Sequence, residues 1–316
     1  MSYGHLIKRS FDIVARRPYL WLLGFLAGGA TALTYPSSGT NYGRPARSST
    51  YIGPSPAVLH NIWNANWEWI VGIMAFLVVL GIVMFVLGCI ATGGIIHAAV
   101  EHDADHEFRL GTAWRAGYAT AWRIAGLRLL TFLLAILPGL LVGALVLATV
   151  AGAMNSAAAA AVSFGLVAAV AFLVSMAFWL ALGVAFQLAQ RLVVLEDGHV
   201  AESLVTAFRT IRLRFKEVAL AWLILIGLSI GVGVAFAVLA LIVAIAAVAL
   251  GFGGWAIGGM TGAIAAGSFA AVFFLGILFV ATGAYSAYSS VYWTLLFRNV
   301  RALPAPAARS AIIPTA

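Results

Sequence analysis

The feature that most constrains this chain is a set of apolar runs too long to be buried in a soluble domain. Residues 218–250 contain no charged side chain. A run of more than about 18 apolar residues is typical of a helix that crosses a membrane. The whole chain agrees, because 63% of its 316 residues are hydrophobic and only 9% are charged, whereas soluble domains carry about 25% charged residues. The sequence therefore predicts an all-α integral membrane protein.

The apolar segments are separated by polar ones in a way that predicts six membrane spans. We expect one membrane domain over residues 1–300, with a long outer loop at 36–66 that is rich in serine, glycine and proline. Residues 301–316 contain prolines and are expected to form a loose cytoplasmic tail. The predicted spans lie at about 19–34, 70–100, 124–151, 158–188, 218–250 and 263–297.

The basic side chains lie almost entirely on one side of these predicted spans. Of the 18 lysine and arginine residues, only Arg44 and Arg47 fall in a predicted outer loop. Because cytoplasmic loops carry the excess of lysine and arginine, both termini are predicted to face the cytoplasm. The net charge of +8 is therefore expected to face the anionic lipids of a membrane. Nucleic acid is not an expected partner, since there is no basic soluble domain, and no cofactor is expected.

Three basic amphipathic segments, 3–17, 101–123 and 202–216, each precede two predicted spans. Apolar side chains recur in them at steps of three and four residues, the pattern of a helix with one apolar face. We expect three cytoplasmic helices that lie in the membrane interface. One aromatic residue of each segment recurs at a spacing of roughly 100 residues, which predicts a threefold degenerate parallel repeat. These aromatic residues are Phe11, Trp114 and Phe208.

The basic residues of these segments are candidates for contact with the anionic headgroups of the cytoplasmic leaflet. Each lysine or arginine near such a surface contributes about 1 kcal/mol of attraction. Other membrane protein subunits are a second candidate partner for the same segments. The candidate lipid-surface residues are Lys8, Arg9, Arg16, Arg17, Arg115, Arg123, Arg209, Arg212, Arg214 and Lys216.

Three stretches carry a resemblance to a known family. They are Ser10 to Gly24, which includes Arg17-Pro18-Tyr19-Leu20-Trp21, then Val194-Leu195-Glu196-Asp197-Gly198 followed by Glu202 to Phe215, and Tyr292-Trp293-Thr294-Leu295-Leu296-Phe297-Arg298. They resemble stretches of an uncharacterised bacterial six-span family that is similar to the membrane domain accompanying some glycerophosphodiester phosphodiesterases. The resemblance implies a six-span architecture in the bacterial cytoplasmic (inner) membrane. It implies no chemistry, since the soluble stretches are too short for the phosphodiesterase domain.

Polar residues near the cytoplasmic ends of spans 4 and 6 predict a pocket. An arginine beside amides and phenols is a suitable set of donors for a phosphate-bearing headgroup. The alternative is an inner aromatic belt with hydrogen bonds between helices. The candidate ligand-binding residues are Gln187, Gln190, Arg191, Tyr285, Tyr288 and Tyr292.

A cluster of histidines and carboxylates follows span 2. On a continuous helix, His102 and His106 would share one face at the four-residue step that a divalent metal such as zinc can bridge. The alternative is a solvated junction at the cytoplasmic surface. The single cysteine, Cys89, lies in an apolar run and excludes a cysteine-based metal site.

The predicted spans have no ionisable side chain near their middle, since Glu68 and Arg128 are close enough to an interface to extend towards it. Proton-coupled and many ion-coupled transporters need such groups. We therefore expect a non-enzymatic protein, a structural or accessory component that binds lipids or partner membrane subunits. The alternative is a carrier or binding protein for a lipid or a small phosphate-bearing molecule, using the pocket between spans 4 and 6.

Overall fold

A computed structural model describes residues 3–29, 56–153 and 158–302. Within these ranges the regular structure is entirely helical, which confirms the all-α class. The end of predicted span 1, the outer loop up to residue 55 and the tail from residue 303 lie outside the described residues. The helices are α1 (Tyr3–Arg16), α2 (Tyr19–Gly24, continued by a π-helical turn over Phe25–Gly29), α3 (Pro56–Asp103), α4 (Leu110–Ala153), α5 (Ala158–Leu195), α6 (Val200–Leu213) and α7 (Phe215–Ala302).

Four of these helices, α3, α4, α5 and α7, are long and apolar enough to cross a membrane, and Tyr19–Gly28 is a shorter apolar helix. Helix α3 has 48 residues, so it is about 72 Å long at 1.5 Å per residue. A hydrocarbon core is only about 30 Å thick. Residues 56–66, predicted as part of the outer loop, are instead the first turns of α3, because proline is well tolerated where a helix begins.

Helix α7 is interrupted once, at Gly258 and Gly259. Gly259 has φ 59° and ψ −143°, a combination that glycine reaches without the steric penalty of a side chain. Residues 251–262, a glycine-dense stretch between predicted spans 5 and 6, therefore do not form a loop throughout. The interruption is two residues long, and helix continues on both sides of it, over 215–257 and 260–302.

The two legs of α7 run antiparallel against each other. Near the turn, the backbones of Gly254 and Gly262 touch, because neither residue has a Cβ that would separate them. Far from the turn, the Tyr292 hydroxyl donates a hydrogen bond to the Ala221 carbonyl oxygen at 3.3 Å. Helix α7 is therefore a hairpin whose legs are in contact at both ends.

The three basic segments do not form three separate helices. Helices α1 and α6 are separate, but in the second segment only residues 110–123 are helical beyond the end of α3, and they form the first turns of α4 with no break after residue 123. Two of its aromatic residues lie on the outer face, since Tyr118 is 72% and Trp122 is 88% exposed, whereas Trp114 is half-buried against the core. The side of α4 that packs inward carries smaller residues, at steps of three and four. These buried residues are Ala113, Gly117, Thr120, Ile124 and Leu127.

The buried core occupies only one end of the helices. In α3, every residue from 71 to 86 is exposed and every residue from 88 to 96 is buried. Consecutive residues cover all faces of a helix, so α3 stands apart from its neighbours over the first range and is enclosed over the second. We call these two parts of the molecule the open half and the closed half. The closed half also contains α1 and α6.

Candidate functional site

A cavity of about 930 Å³ lies where the closed half meets the open half. Helices α3, α4, α5 and α7 and the π-helical turn after α2 all contribute to its wall. Apolar side chains form one part of that wall, among them Phe85, Phe132, Phe186 and Phe236. The polar residues of the wall are Thr92, Arg128, Thr131, Gln187, Gln190, Ser229, Thr282, Tyr285, Ser286, Ser289 and Ser290.

Arg191 is fully buried behind this wall rather than exposed in it. Its Nη1 donates to the side-chain oxygens of Gln187 at 2.7 Å and Gln190 at 3.2 Å. Its Nη2 donates to the Ser290 carbonyl oxygen at 3.1 Å. The sequence predicted that Arg191 contacts a ligand in the cavity. The structure instead places Arg191 behind Gln187 and Gln190, which line the cavity and could contact a ligand.

Arg128 is the arginine that lines the cavity. Its Nη2 donates to the Ala27 carbonyl oxygen at 3.0 Å and to the Thr92 hydroxyl at 2.9 Å. Its guanidinium carbon lies 6.0 Å from the centre of the Phe85 ring. The expectation that Arg128 extends to an interface stays a prediction; Arg128 is about 27 Å along α4, which begins at Leu110. The sequence signal that could have identified Arg128 as a functional residue is the presence of a basic side chain within an apolar helix.

The three predicted tyrosines have different surroundings. Tyr285 lines the cavity together with the predicted Gln187 and Gln190. Tyr288 is buried, and its hydroxyl has no hydrogen-bond partner among the described residues. Tyr292 is fully buried and bonds the other leg of α7. Three of the six predicted residues therefore line the cavity, and whether they bind a ligand stays a prediction.

Ser229 also lines the cavity, within a Gly-x-Ser-x-Gly pattern that extends from Gly227 to Gly231. In α/β hydrolases this pattern forms a turn between a strand and a helix that exposes the nucleophilic serine. Here it lies inside α7, and the Ser229 hydroxyl donates to the Ile226 carbonyl oxygen at 2.8 Å. Among the described residues that line the cavity there is no histidine or carboxylate. The pattern therefore does not form a nucleophile elbow.

The predicted pair of metal ligands, His102 and His106, is not formed. Helix α3 ends at Asp103, so the two histidines do not share a helical face. The ring nitrogens of His102 lie 2.6 Å from the Tyr19 hydroxyl and 3.2 Å from the His106 carbonyl oxygen, so both are engaged. Within 3–29, 56–153 and 158–302, no group of three potential metal-ligating side chains is found.

Most of the predicted lipid-surface residues are exposed, but two form ion pairs within the protein. Arg9 bonds Asp105 at 2.7 Å, and this hydrogen bond raises the pKa of Arg9 while burial opposes the rise. Arg123 pairs with Asp197. The guanidinium groups of Arg9 and Arg123 are therefore paired with carboxylates of the protein, and lipid headgroups would have to compete with these carboxylates. The exposed members of the set are Lys8, Arg16, Arg17, Arg115, Arg123, Arg209, Arg212 and Lys216, whereas Arg9 and Arg214 are half-buried.

Asp103 joins three helices at the charged end of the closed half. Its carboxylate accepts Arg298 Nη1 at 2.6 Å and lies 3.5 Å from Arg9 Nε. The last turn of α7 is also connected to the end of α5, because Arg301 pairs with Glu196. The middle of α1 and the C-terminal ends of α3, α5 and α7 are therefore linked by charge.

The fold and the cavity define a helical membrane protein with a polar cavity between its closed and open halves. The chain belongs to the Family of unknown function (DUF7544), whose model matches residues 18–301. No curated protein and no solved structure matches the chain. The link to phosphodiesterase-associated membrane domains stays a prediction, since the matched family has no assigned function.

Proposed function

We propose that this protein is a non-enzymatic membrane component that holds lipid in its open half, in a structural or accessory role. The observation that carries the proposal is the exposure of α3 on all faces over residues 71–86, directly beside the cavity. Such a large apolar surface has to be covered by lipid chains or by a partner. Packing contacts and lipid release favour helix association in a bilayer, so partner membrane subunits are the competing occupants.

The proposal includes six membrane crossings with both termini in the cytoplasm of a bacterial cell. The helix at Tyr19–Gly28, helices α3, α4 and α5, and the two legs of α7 would supply the crossings. The charged end of the closed half would face the cytoplasm, since the positive-inside rule puts lysine and arginine there. The exposed basic residues of α1 and α6 would then face anionic headgroups.

A carrier for a lipid or a small phosphate-bearing molecule is a second candidate, favoured by the cavity itself. Gln187, Gln190 and Tyr285 give it a polar wall, and ligand sites are concave and mostly apolar with a few polar groups. A carrier differs from an accessory component in one respect. It must release and rebind its ligand, whereas an accessory component keeps it.

Gentle extraction from the native membrane, followed by mass spectrometry of everything that stays bound, tests the proposal. Stoichiometric lipid is the expected result. Stoichiometric companion proteins without lipid would show that subunits, not lipids, cover the open half. Protein free of both would overturn the lipid-holding role.

A lipid-exchange assay between vesicles separates the two candidates. Ser289→Trp puts a large ring into the cavity, so a carrier should lose most of its exchange rate. Asn299→Trp adds the same ring at an exposed position of α7 outside the cavity and serves as the control. Absence of exchange in the unaltered protein would remove the carrier and leave the accessory role.

A further inference from the structure

Arg128 and Arg191 are two guanidinium groups whose charge no carboxylate balances in the part of the chain that the structure describes. The ion pairs observed there all involve other cations, at the charged end of the closed half. Aspartate and glutamate are also absent from the cavity wall as far as the described residues form it. Removing a charge from water costs several kcal/mol unless partners compensate. An anion in the cavity would supply that compensation.

Arg191 determines which way the two cavity-lining amides face. A guanidinium has only donors, so Gln187 and Gln190 must turn their oxygens towards Arg191, as observed. Their NH₂ groups are then left as the groups available to a ligand. Two amides held in this orientation present donors only, which suits an anion and disfavours a cation.

Arg128 has unused donors of its own. All of its hydrogen bonds within the described ranges come from one nitrogen, Nη2, which bonds Ala27, Gly88 and Thr92. The contacts on Nη2 hold the guanidinium in place, while Nη1 and Nε remain for another acceptor. Each of these two nitrogens can donate a charge-assisted hydrogen bond to a phosphate oxygen.

The apolar wall of the cavity indicates what carries the anion. Phe85, Phe132 and Phe236 line it, and the surface continues without charge into the open half. A cavity of about 930 Å³ is many times larger than a free phosphate, whose volume is on the order of a few water molecules. The shape and chemistry fit a molecule with an anionic head and apolar chains.

We infer that the cavity is a binding site for a phosphate-bearing lipid headgroup. Arg128 binds the phosphate, the Gln187 and Gln190 amides donate to its oxygens, and Arg191 is a positioning residue that orients those amides. The lipid chains extend along the phenylalanines into the open half. The inference rests on the proposal that the open half holds lipid, and it adds the class of headgroup and the residues that select it.

The test measures the ratio of phosphate-bearing to phosphate-free lipid that co-purifies with the full chain from mixed vesicles of phosphatidylglycerol, which is anionic, and an uncharged galactosyl diacylglycerol. The unaltered protein should be enriched in the anionic lipid relative to the vesicles. Arg128→Gln should lower that enrichment by about tenfold, the effect of losing a hydrogen bond to a charged group, while lipid remains bound. Arg109→Gln removes an exposed arginine outside the cavity and should leave the ratio unchanged.

Gln190→Glu is a second variant, chosen because it should test the site without unfolding the protein. It preserves the size of the side chain and puts a carboxylate beside Arg191, so it should abolish the anionic preference through charge rather than through unfolding. Thermal unfolding verifies that each variant is folded. An unchanged lipid ratio in both folded variants would overturn the headgroup site and leave the lipid-holding role intact. Absence of bound lipid in the unaltered protein would overturn both.

Inorganic phosphate and glycerol phosphate distinguish a lipid from a free phosphate compound. Each is added at millimolar concentration to the lipid-loaded protein. Retention of the lipid is expected, because its chains add apolar contact that a soluble phosphate lacks. Displacement of the lipid by either compound would overturn the lipid as the source of the phosphate.

Discussion

Gly24 in α2 and Gly283 in α7 cross so closely that a Cβ on Gly24 would collide with the Gly283 carbonyl oxygen. A Cβ on Gly283 would in turn collide with the carbonyl oxygen of Trp21. Backbone atoms in helices cannot rotate away as side chains can. The contact between the first apolar helix and the second leg of α7 therefore depends on the absence of side chains at both positions.

Gly283→Ala is expected to destabilise the protein by about 1–3 kcal/mol, the usual cost of overpacking. Gly276→Ala is the matched control, since this glycine lies two turns earlier on the same leg with nothing within 4 Å of its Cβ position. The control should be neutral or stabilised by up to about 1 kcal/mol, because alanine favours helix over glycine. The thermal unfolding midpoint in detergent measures both. Equal midpoints would mean that the two helices are not in close contact.

Tyr288 and Tyr292 should respond oppositely when their hydroxyls are removed. Tyr292→Phe loses the hydrogen bond to the Ala221 carbonyl oxygen and should cost about 0.5–1.5 kcal/mol. Tyr288→Phe removes a buried hydroxyl that none of the described residues pairs with, so it should be neutral or stabilising. Unfolding by denaturant in mixed micelles gives the two free energies. A larger loss for Tyr288→Phe would indicate that its hydroxyl has a partner such as a bound ligand.

The ion pair between Asp103 and Arg298 should contribute a small coupling free energy. Both side chains are partly exposed, so a double-mutant cycle with alanine is expected to give about 0.2–1 kcal/mol. The coupling should decrease at high salt, which screens exposed charges. A parallel cycle that combines Arg298 with Glu107, which is exposed and forms no ion pair with another described residue, should be additive. Equal coupling free energies in the two cycles would show that the ion pair between Asp103 and Arg298 does not stabilise the contact with α7.

Cysteine labelling tests the proposed orientation, because the native Cys89 is buried and can be replaced by alanine. Ile257→Cys, at the turn of α7, should react with a membrane-impermeant maleimide in intact cells. Glu107→Cys, at the charged end, should react only after permeabilisation. Both substituted positions are exposed, so burial does not limit the reaction. Labelling of both from the same side would contradict the proposed crossings of α3 to α7.

The helical class was predictable, but the limits of the helices were not. The apolar composition of residues 218–250 already required a helix, because a backbone in lipid has to satisfy its own hydrogen bonds. The same composition does not say where a helix stops beyond the membrane. Residues 251–257 therefore continue α7, although their glycines favour a loop. The chain reverses only where Gly259 takes a positive φ.

The cavity was predictable as a meeting of polar residues on spans 4 and 6, and Gln187, Gln190 and Tyr285 do line it. The assignment of the arginine was not predictable. Arg191 belonged to the polar group in sequence, whereas Arg128 lay alone on another helix. Which of the two arginines reaches the cavity depends on how α4 and α5 are rotated about their own axes. The sequence of neither helix specifies that rotation.

The sequence by itself determined that this protein is helical and apolar enough for a membrane, and that its charge collects at one end. These properties follow from side-chain transfer free energies, which add along the chain regardless of how the helices meet. The tertiary structure alone decided that the helices separate into a closed and an open half, that Arg128 faces the cavity and that Arg191 stands behind the amides. Those features depend on where glycines and small residues let helices approach, a property of pairs of residues far apart in the chain.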